Sequence, residues 1–232
     1  QLAVVLRMFG PRDPATITAT DVQEWISGLS LKPSTIRRYL ATLRLVLDYA
    51  EIRPNPARDN RVRLPRQDKE HISPPSGRDV EAIMLNVPAR WRLLLTTLAE
   101  TGMRIGEALA IEWQDVDKAV ERIRIRGGKT AAARRWVPIG ADLLDEITTV
   151  TPPDDRVPER RVFEGTAAAV QNVMARACQS AGIAHFHPHD FRHRWASLQV
   201  KRGVPITEIA AHLGHSQNAI TWDVYSHVLL DD

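Results

Sequence analysis

Apolar residues recur at helical spacing along most of the chain, most clearly in STIRRYLATLRLVLDYAEI. There Ile36, Leu40, Leu43, Leu47 and Ala50 form one stripe while Arg37, Arg38 and Arg44 lie off it. The pattern predicts an amphipathic helix with basic flanks, capped by Ser34. Residues 1–9 read as the end of a helix, and DVQEWISGL as a short helix starting after Thr20. From Pro54 to Pro75 the periodicity fails, and five prolines among many charges in RPNPARDNRVRLPRQDKEHISPP predict an extended linker. The expected organisation is a small helical unit over residues 1–67, a linker reaching to about residue 77, and a larger unit over residues 78–232.

The larger unit opens with helical patterns over DVEAIMLNV and RWRLLLTTLAE, the second ended by Gly102, and RIGEALAI reads as another helix. In RIRIRGGKTAAARRWVPI, apolar and charged residues alternate on both sides of a Gly-Gly turn, the signature of a β-hairpin. Helical patterns return over AAAVQNVMARACQSAG, DFRHRWASLQVKRG, PITEIAAHLG and NAITWDVYSHV. The expected fold class is therefore mainly α, with a small antiparallel sheet.

Composition narrows the picture. The 232 residues are 44% hydrophobic and 25% charged, ordinary for a soluble protein, and no apolar run approaches the ~20 residues that span a bilayer, so no membrane partner is expected. The single cysteine, Cys178, excludes an intramolecular disulfide and fits a reducing, cytoplasmic compartment, and no signal peptide is visible. Gln1 opens directly into a helical pattern, as in a chain entered partway through a domain. Net charge is only +3, but residues 1–67 hold 11 basic and 6 acidic side chains against 20 and 22 in the remainder. That excess makes the first unit a candidate nucleic-acid surface.

The stretch HFHPHDFRHRW places His185, His187, His189 and His193 around Asp190. Such a cluster suggests metal ligands, and His212 and His215 could complete a set. Arg192 and Arg194 argue against it, because a metal cation among guanidinium groups is repelled, whereas a phosphate is bound by the guanidinium fork.

Four further stretches, TGMRIGEALAI, GGKTAAARRW, LGHS and TWDVYSHV, accompany HPHDFRH in fixed order. Together they closely resemble the motifs of the tyrosine recombinase family, the phage-type integrases: an Arg in a TGxRxxE helix, a Lys in a hairpin turn, an HxxR pair, an LGH histidine and a Tyr about ten residues later. These positions are Arg104 with Glu107, Lys129, His189 with Arg192, His215 and Tyr225. The resemblance covers essentially the whole chain and implies a helical core-DNA-binding domain followed by the family's catalytic fold.

Roles follow from the resemblance, and the chemistry suits each residue type. Attack on a DNA phosphodiester builds negative charge on its non-bridging oxygens, so Arg104, Arg192 and His215 would stabilise them, with Glu107 orienting an arginine. Tyr225 would be the nucleophile, His189 its general base and Lys129 the general acid for the leaving 5′-oxygen. Lys32, Arg37, Arg38, Arg44, Arg134 and Arg135 are the candidate backbone-phosphate contacts, although a solvated face is an equal reading for the last two. No metal or other cofactor is expected. The implied partners are a double-stranded attachment site, a homotetramer on synapsed DNA formed from protomers that could be monomeric in solution, and an accessory directionality factor as an open option. Only seven residues follow Tyr225, fewer than the extra C-terminal helix that many relatives dock onto a neighbouring protomer. Rival readings of the same features are a type IB topoisomerase, a catalytically silent DNA-binding protein of the same fold, and a metal-dependent nuclease.

Overall fold

A computed structural model describes residues 1–66, 73–127 and 134–215 of the chain. The chain divides into two compact units, Gln1–His71 and Ile72–Asp232. Among the described residues no helix is long and apolar enough to cross a membrane.

Helices α1 (Leu2–Phe9), α2 (Ala19–Ser27) and α3 (Pro33–Tyr49) build the first unit. Ile36, Leu40, Leu43 and Leu47 of the α3 stripe are buried against Val5 and Phe9 of α1 and Val22 and Trp25 of α2. Ala50, expected on that stripe, is instead the exposed C-cap residue. Two helix starts also differ from expectation. α2 begins at Ala19 because Thr18 and Asp21 cap it reciprocally: Thr18 Oγ1 accepts from the Asp21 N–H at 3.2 Å, and Asp21 Oδ2 accepts from the Thr18 N–H at 2.8 Å. Lys32, not Ser34, occupies the N-cap of α3, since Pro33 with its fixed φ and missing N–H takes the first helical position.

Of the proline-rich stretch after α3, residues 54–66 are not the extended linker their prolines predict; residues 67–72 lie outside the described residues. Asn55 Nδ2 donates to Asp48 Oδ1 at 2.8 Å and to the Arg44 carbonyl at 3.0 Å, while Arg44 Nε donates to the Ala57 carbonyl at 2.8 Å. Further on, the Arg63 N–H donates to Gln23 Oε1 at 2.7 Å, and Ala57 and Val62 are buried in the unit's core. The prolines exclude regular structure, but neighbouring side chains satisfy the backbone one group at a time.

The second unit contains α4 (Gly77–Asn86), α5 (Ala89–Thr101), the single turn α6 (Ile105–Ala108), strands β1 (Val116–Asp117), β2 (Arg122–Ile125) and β3 (Arg135–Pro138), then α7 (Ala141–Thr149), α8 (Ala167–Ala181), α9 (Pro188–Lys201) and α10 (Ile206–Leu213). The sheet is antiparallel in the order β1-β2-β3, with Ile123 opposite Val137. β2 and β3 are the predicted hairpin strands; β1 and α7 carry sequence patterns too short or too weakly marked to stand out. RIGEALAI forms only one helical turn, after which the Ala110 and Ile111 N–H groups fold onto carbonyls three residues back. α4 packs on α8 and α5 on α9, enclosing Leu94, Leu95, Leu98, Met103 and Phe191. The mainly α architecture with a small antiparallel sheet is thus the one the sequence predicts.

Candidate active site

Two helix C-termini create the site. α5 ends at Gly102 (φ 65°) and α10 at Gly214 (φ 66°), both in the left-handed region where glycine is unstrained. The last carbonyls of a helix lack intrahelical partners and carry the negative end of its dipole, so they attract cationic donors. Arg192, on α9, is 2% exposed and must satisfy its guanidinium internally. It donates through Nη1 to the Gly102 carbonyl at 2.9 Å and through Nη2 to the Leu213 carbonyl at 2.6 Å. Arg104, at the start of α6, donates through Nη1 to the same Leu213 carbonyl at 3.2 Å. Its side chain is more open, 37% exposed against 9% for Glu107 beside it.

Glu107 joins α6 to β3. Oε1 accepts from Arg104 Nη1 at 2.8 Å and Arg135 Nη1 at 3.2 Å; Oε2 accepts from the Arg104 N–H at 3.0 Å and Arg135 Nη2 at 2.9 Å. Burial alone would raise its pKa, but Arg135 and Arg104 together outweigh burial and hold it below the ordinary carboxylate value. Arg135 also donates through Nε to the His212 carbonyl. Two guanidinium groups thus flank one carboxylate, and with Arg192 nearby the site is a net cation.

The histidines divide by role. His215 Nε2 lies 2.9 Å from Arg192 Nη2. A guanidinium can only donate, so this nitrogen is the acceptor and the ring is neutral with its proton on Nδ1. Partial burial and the charges of Arg192, Arg104 and Arg135 agree, pushing His215 down to about 4. His189, more than a third of whose surface is open, is likewise pushed down to about 4 by desolvation, His193 and Arg192. Its ring meets that of His193 edge-on at 4.7 Å. His212 Nε2 donates to the Thr101 carbonyl at 2.7 Å and its ring stacks on Trp195 at 4.0 Å. This tie between α10 and α5 is a role its sequence context did not reveal.

The cluster HFHPHDFRHRW resolves into local structure. Asp190, a possible ligand in the sequence, caps α9 by accepting from the His187 N–H at 2.7 Å, and Pro188 occupies the first turn. His185 and His187 pair with each other, ring to ring at 4.4 Å. Among the described residues no three His, Cys, Asp or Glu side chains group to hold a metal ion.

Of the sequence-predicted site residues, the structure brings Arg104, Glu107, His189, Arg192 and His215 together; Lys129 and Tyr225 lie outside the described residues. Lys32, Arg37, Arg38 and Arg134 are exposed. Arg44 is half-buried, with its Nε on the Ala57 carbonyl. Arg135 lies neither on a solvated strand face nor in the open: its side chain is 9% exposed and paired with Glu107. A signal for this exists in the sequence. Arg135 shares the parity of Val137 and Ile139, both buried, and a cation on the inward face of a strand requires an acceptor.

Comparison with known proteins shows the family and the fold. The family model described as the phage integrase family matches residues 77–231. Tyrosine recombinase XerA of Saccharolobus solfataricus is 25% identical over 95% of this chain and 78% of its own length. Tyrosine recombinase XerC of Staphylococcus saprophyticus is 26% identical over 90% of this chain and 76% of its own. Among solved structures, the Tn1549 transposon integrase in complex with transposon right-end DNA superposes with a TM-score of 0.80 at 17% identity, covering 99% of this chain and 89% of that one. A lambda integrase dimer bound to a COC′ core site gives 0.76 at 19% identity, covering 96% and 85%. At these identities the superpositions establish the fold.

Proposed function

The chain belongs to the phage integrase family of tyrosine recombinases, and on that premise we propose that it cleaves and rejoins DNA at a specific attachment site through a covalent 3′-phosphotyrosyl intermediate. The observation that carries this reading is the cationic site: Arg104 and Arg192 fixed on one carbonyl, with Glu107 behind them and two neutral imidazoles beside them.

Tyr225 attacks phosphorus, and the 5′-oxygen leaves with a proton from Lys129. Arg104 and Arg192 stabilise the charge that builds on the non-bridging oxygens. The donor that His215 offers is Nδ1–H, because its Nε2 accepts from Arg192. His189, neutral at physiological pH, accepts the phenol proton. That transfer is uphill, since burial and the neighbouring cations hold His189 at about 4, well below an ordinary phenol. The bound phosphate narrows that gap, since its negative charge favours imidazolium while the arginines favour phenolate. The phosphotyrosyl link conserves the phosphodiester, so religation needs no nucleotide cofactor and no step calls on a metal.

In this proposal residues 1–67 form the core-DNA-binding domain, with Lys32, Arg37 and Arg38 on phosphates, and residues 78–232 form the catalytic domain. The reaction proceeds in a homotetramer on synapsed DNA in the cytoplasm of a bacterial host, with a directionality factor biasing integration or excision. Incubating the protein with two DNAs carrying its attachment sites, in EDTA and without ATP, tests the reading. Recombinant joints are expected. Strict dependence on added metal would contradict the mechanism, and relaxation of supercoiled DNA without site preference would favour a topoisomerase.

A further inference from the structure

Arg135 is given no role by the chemistry above, yet it is the most enclosed partner of Glu107. Its fork meets both carboxylate oxygens, at 3.2 and 2.9 Å, whereas Arg104 offers the same carboxylate only one guanidinium nitrogen. Arg104 Nε and Nη2 make no hydrogen bond among the described residues. Arg135 Nε is anchored on the His212 carbonyl, one residue before the Leu213 carbonyl that seats Arg104 and Arg192. With side-chain exposures of 9% for Arg135 and 37% for Arg104, only the latter is accessible to a ligand.

We propose that Arg135 is a positioning residue that takes up the charge of Glu107, so that Arg104 meets the scissile phosphate as an uncompensated cation. The inference rests on the phosphate-clamp reading of Arg104. A carboxylate beside a phosphate-binding arginine is useful for orientation and harmful for charge, because an ion pair within the site competes with the ion pair to substrate. A second, bidentate arginine removes the conflict: the carboxylate still fixes the Arg104 backbone and Nη1, while its charge is balanced from the side away from solvent. Arg135 also links β3 to the end of α10, so the same contact sets the carbonyl on which both clamp arginines rest.

The test compares single-turnover cleavage of a suicide substrate having an ordinary scissile phosphodiester with one having a methylphosphonate there. The methyl group replaces a non-bridging oxygen, so the reacting group is neutral and the transition state carries one negative charge less. Arg135→Gln is expected to slow the diester by about ten- to a hundredfold and the methylphosphonate much less. The double variant Glu107→Gln/Arg135→Gln is expected to regain most of the diester rate, since the harmful charge is gone. Should Arg135→Gln fail to fold, as judged by thermal unfolding, Arg135→Lys takes its place: it keeps the charge but not the two-pronged fork, so a smaller loss, still confined to the diester, is expected. Equal losses on both substrates with no recovery in the double variant would overturn the inference. An Arg104→Ala variant that also loses equally on both substrates would overturn the clamp reading itself, whereas a selective loss there confines any failure to Arg135.

Discussion

Arg104 and Arg192 donate to one carbonyl oxygen, that of Leu213, at 3.2 and 2.6 Å. A carbonyl has two acceptor lone pairs, so a single backbone atom at the end of α10 sets the spacing of two cations carried by different helices. The glycine cap at Gly214 keeps that carbonyl free of the helix ladder, and the residues of LGH therefore act as scaffold as well as chemistry.

Removing either arginine has different consequences. Arg104→Ala, at a partly open position, is expected to leave the fold intact and reduce cleavage by about 10²–10³-fold, as for loss of one preorganised donor. Arg192→Ala orphans the buried Gly102 carbonyl, at a cost of about 1–3 kcal/mol, and leaves the Leu213 carbonyl to Arg104 alone. It should therefore lower thermal stability as well as activity. Arg192→Lys, a point donor unable to bridge two carbonyls, should recover little.

Gly102 is constrained twice. Its φ of 65° disfavours a side chain, and a Cβ there would lie 2.9 Å from the Trp195 ring that stacks on His212. Gly182 has a similar φ of 66° but open space around it. Gly182→Ala should then cost only the left-handed penalty of about 1–2 kcal/mol, and Gly102→Ala clearly more. Equal losses in denaturant unfolding would show that Trp195 yields freely.

Acid should weaken the free protein in a defined window. His189 and His215 titrate near 4 in the folded protein against about 6.5 when unfolded. Between those values the unfolded chain binds the protons and the native site does not, so stability falls as pH drops from about 6.5 to about 4. Replacing both histidines with Gln should make that part of the stability profile shallower, with His193 and His212, also pushed down by burial, supplying the remainder. DNA binding should be accompanied by proton uptake near pH 5, since phosphate favours the imidazolium.

The basic side chains of α3 separate into two kinds. Arg37→Ala and Arg38→Ala should weaken DNA binding on all sequences and each reduce the salt slope by about one. Arg44→Ala should instead lower the stability of the first unit, because its guanidinium holds the Ala57 carbonyl. A DNA-affinity loss from Arg44→Ala equal to that from Arg37→Ala, at unchanged stability, would contradict the division.

The α3 stripe, the Gly102 stop and the hairpin strands were legible because each depends on a local period or a glycine. The polar fixtures were not. Arg135 bonds Glu107 across 28 residues of chain, and His212 reaches the Thr101 carbonyl across 111. No local pattern encodes contacts at that separation, although the strand parity of Arg135 shows that it faces inward. The proline-rich stretch misled for the opposite reason: its composition excludes helices and strands but is silent about Asn55, Arg44 and Gln23, whose side chains hold it in place.

The central claim, that Tyr225 attacks a phosphate held by Arg104 and Arg192, is tested most directly by trapping the protein on a suicide substrate and sequencing the DNA-linked peptide. The account predicts a peptide containing Tyr225 joined to a 3′-phosphate, a free 5′-hydroxyl on the released strand, and no adduct with Tyr225→Phe. A linkage through another residue, or to a 5′-phosphate, would contradict it.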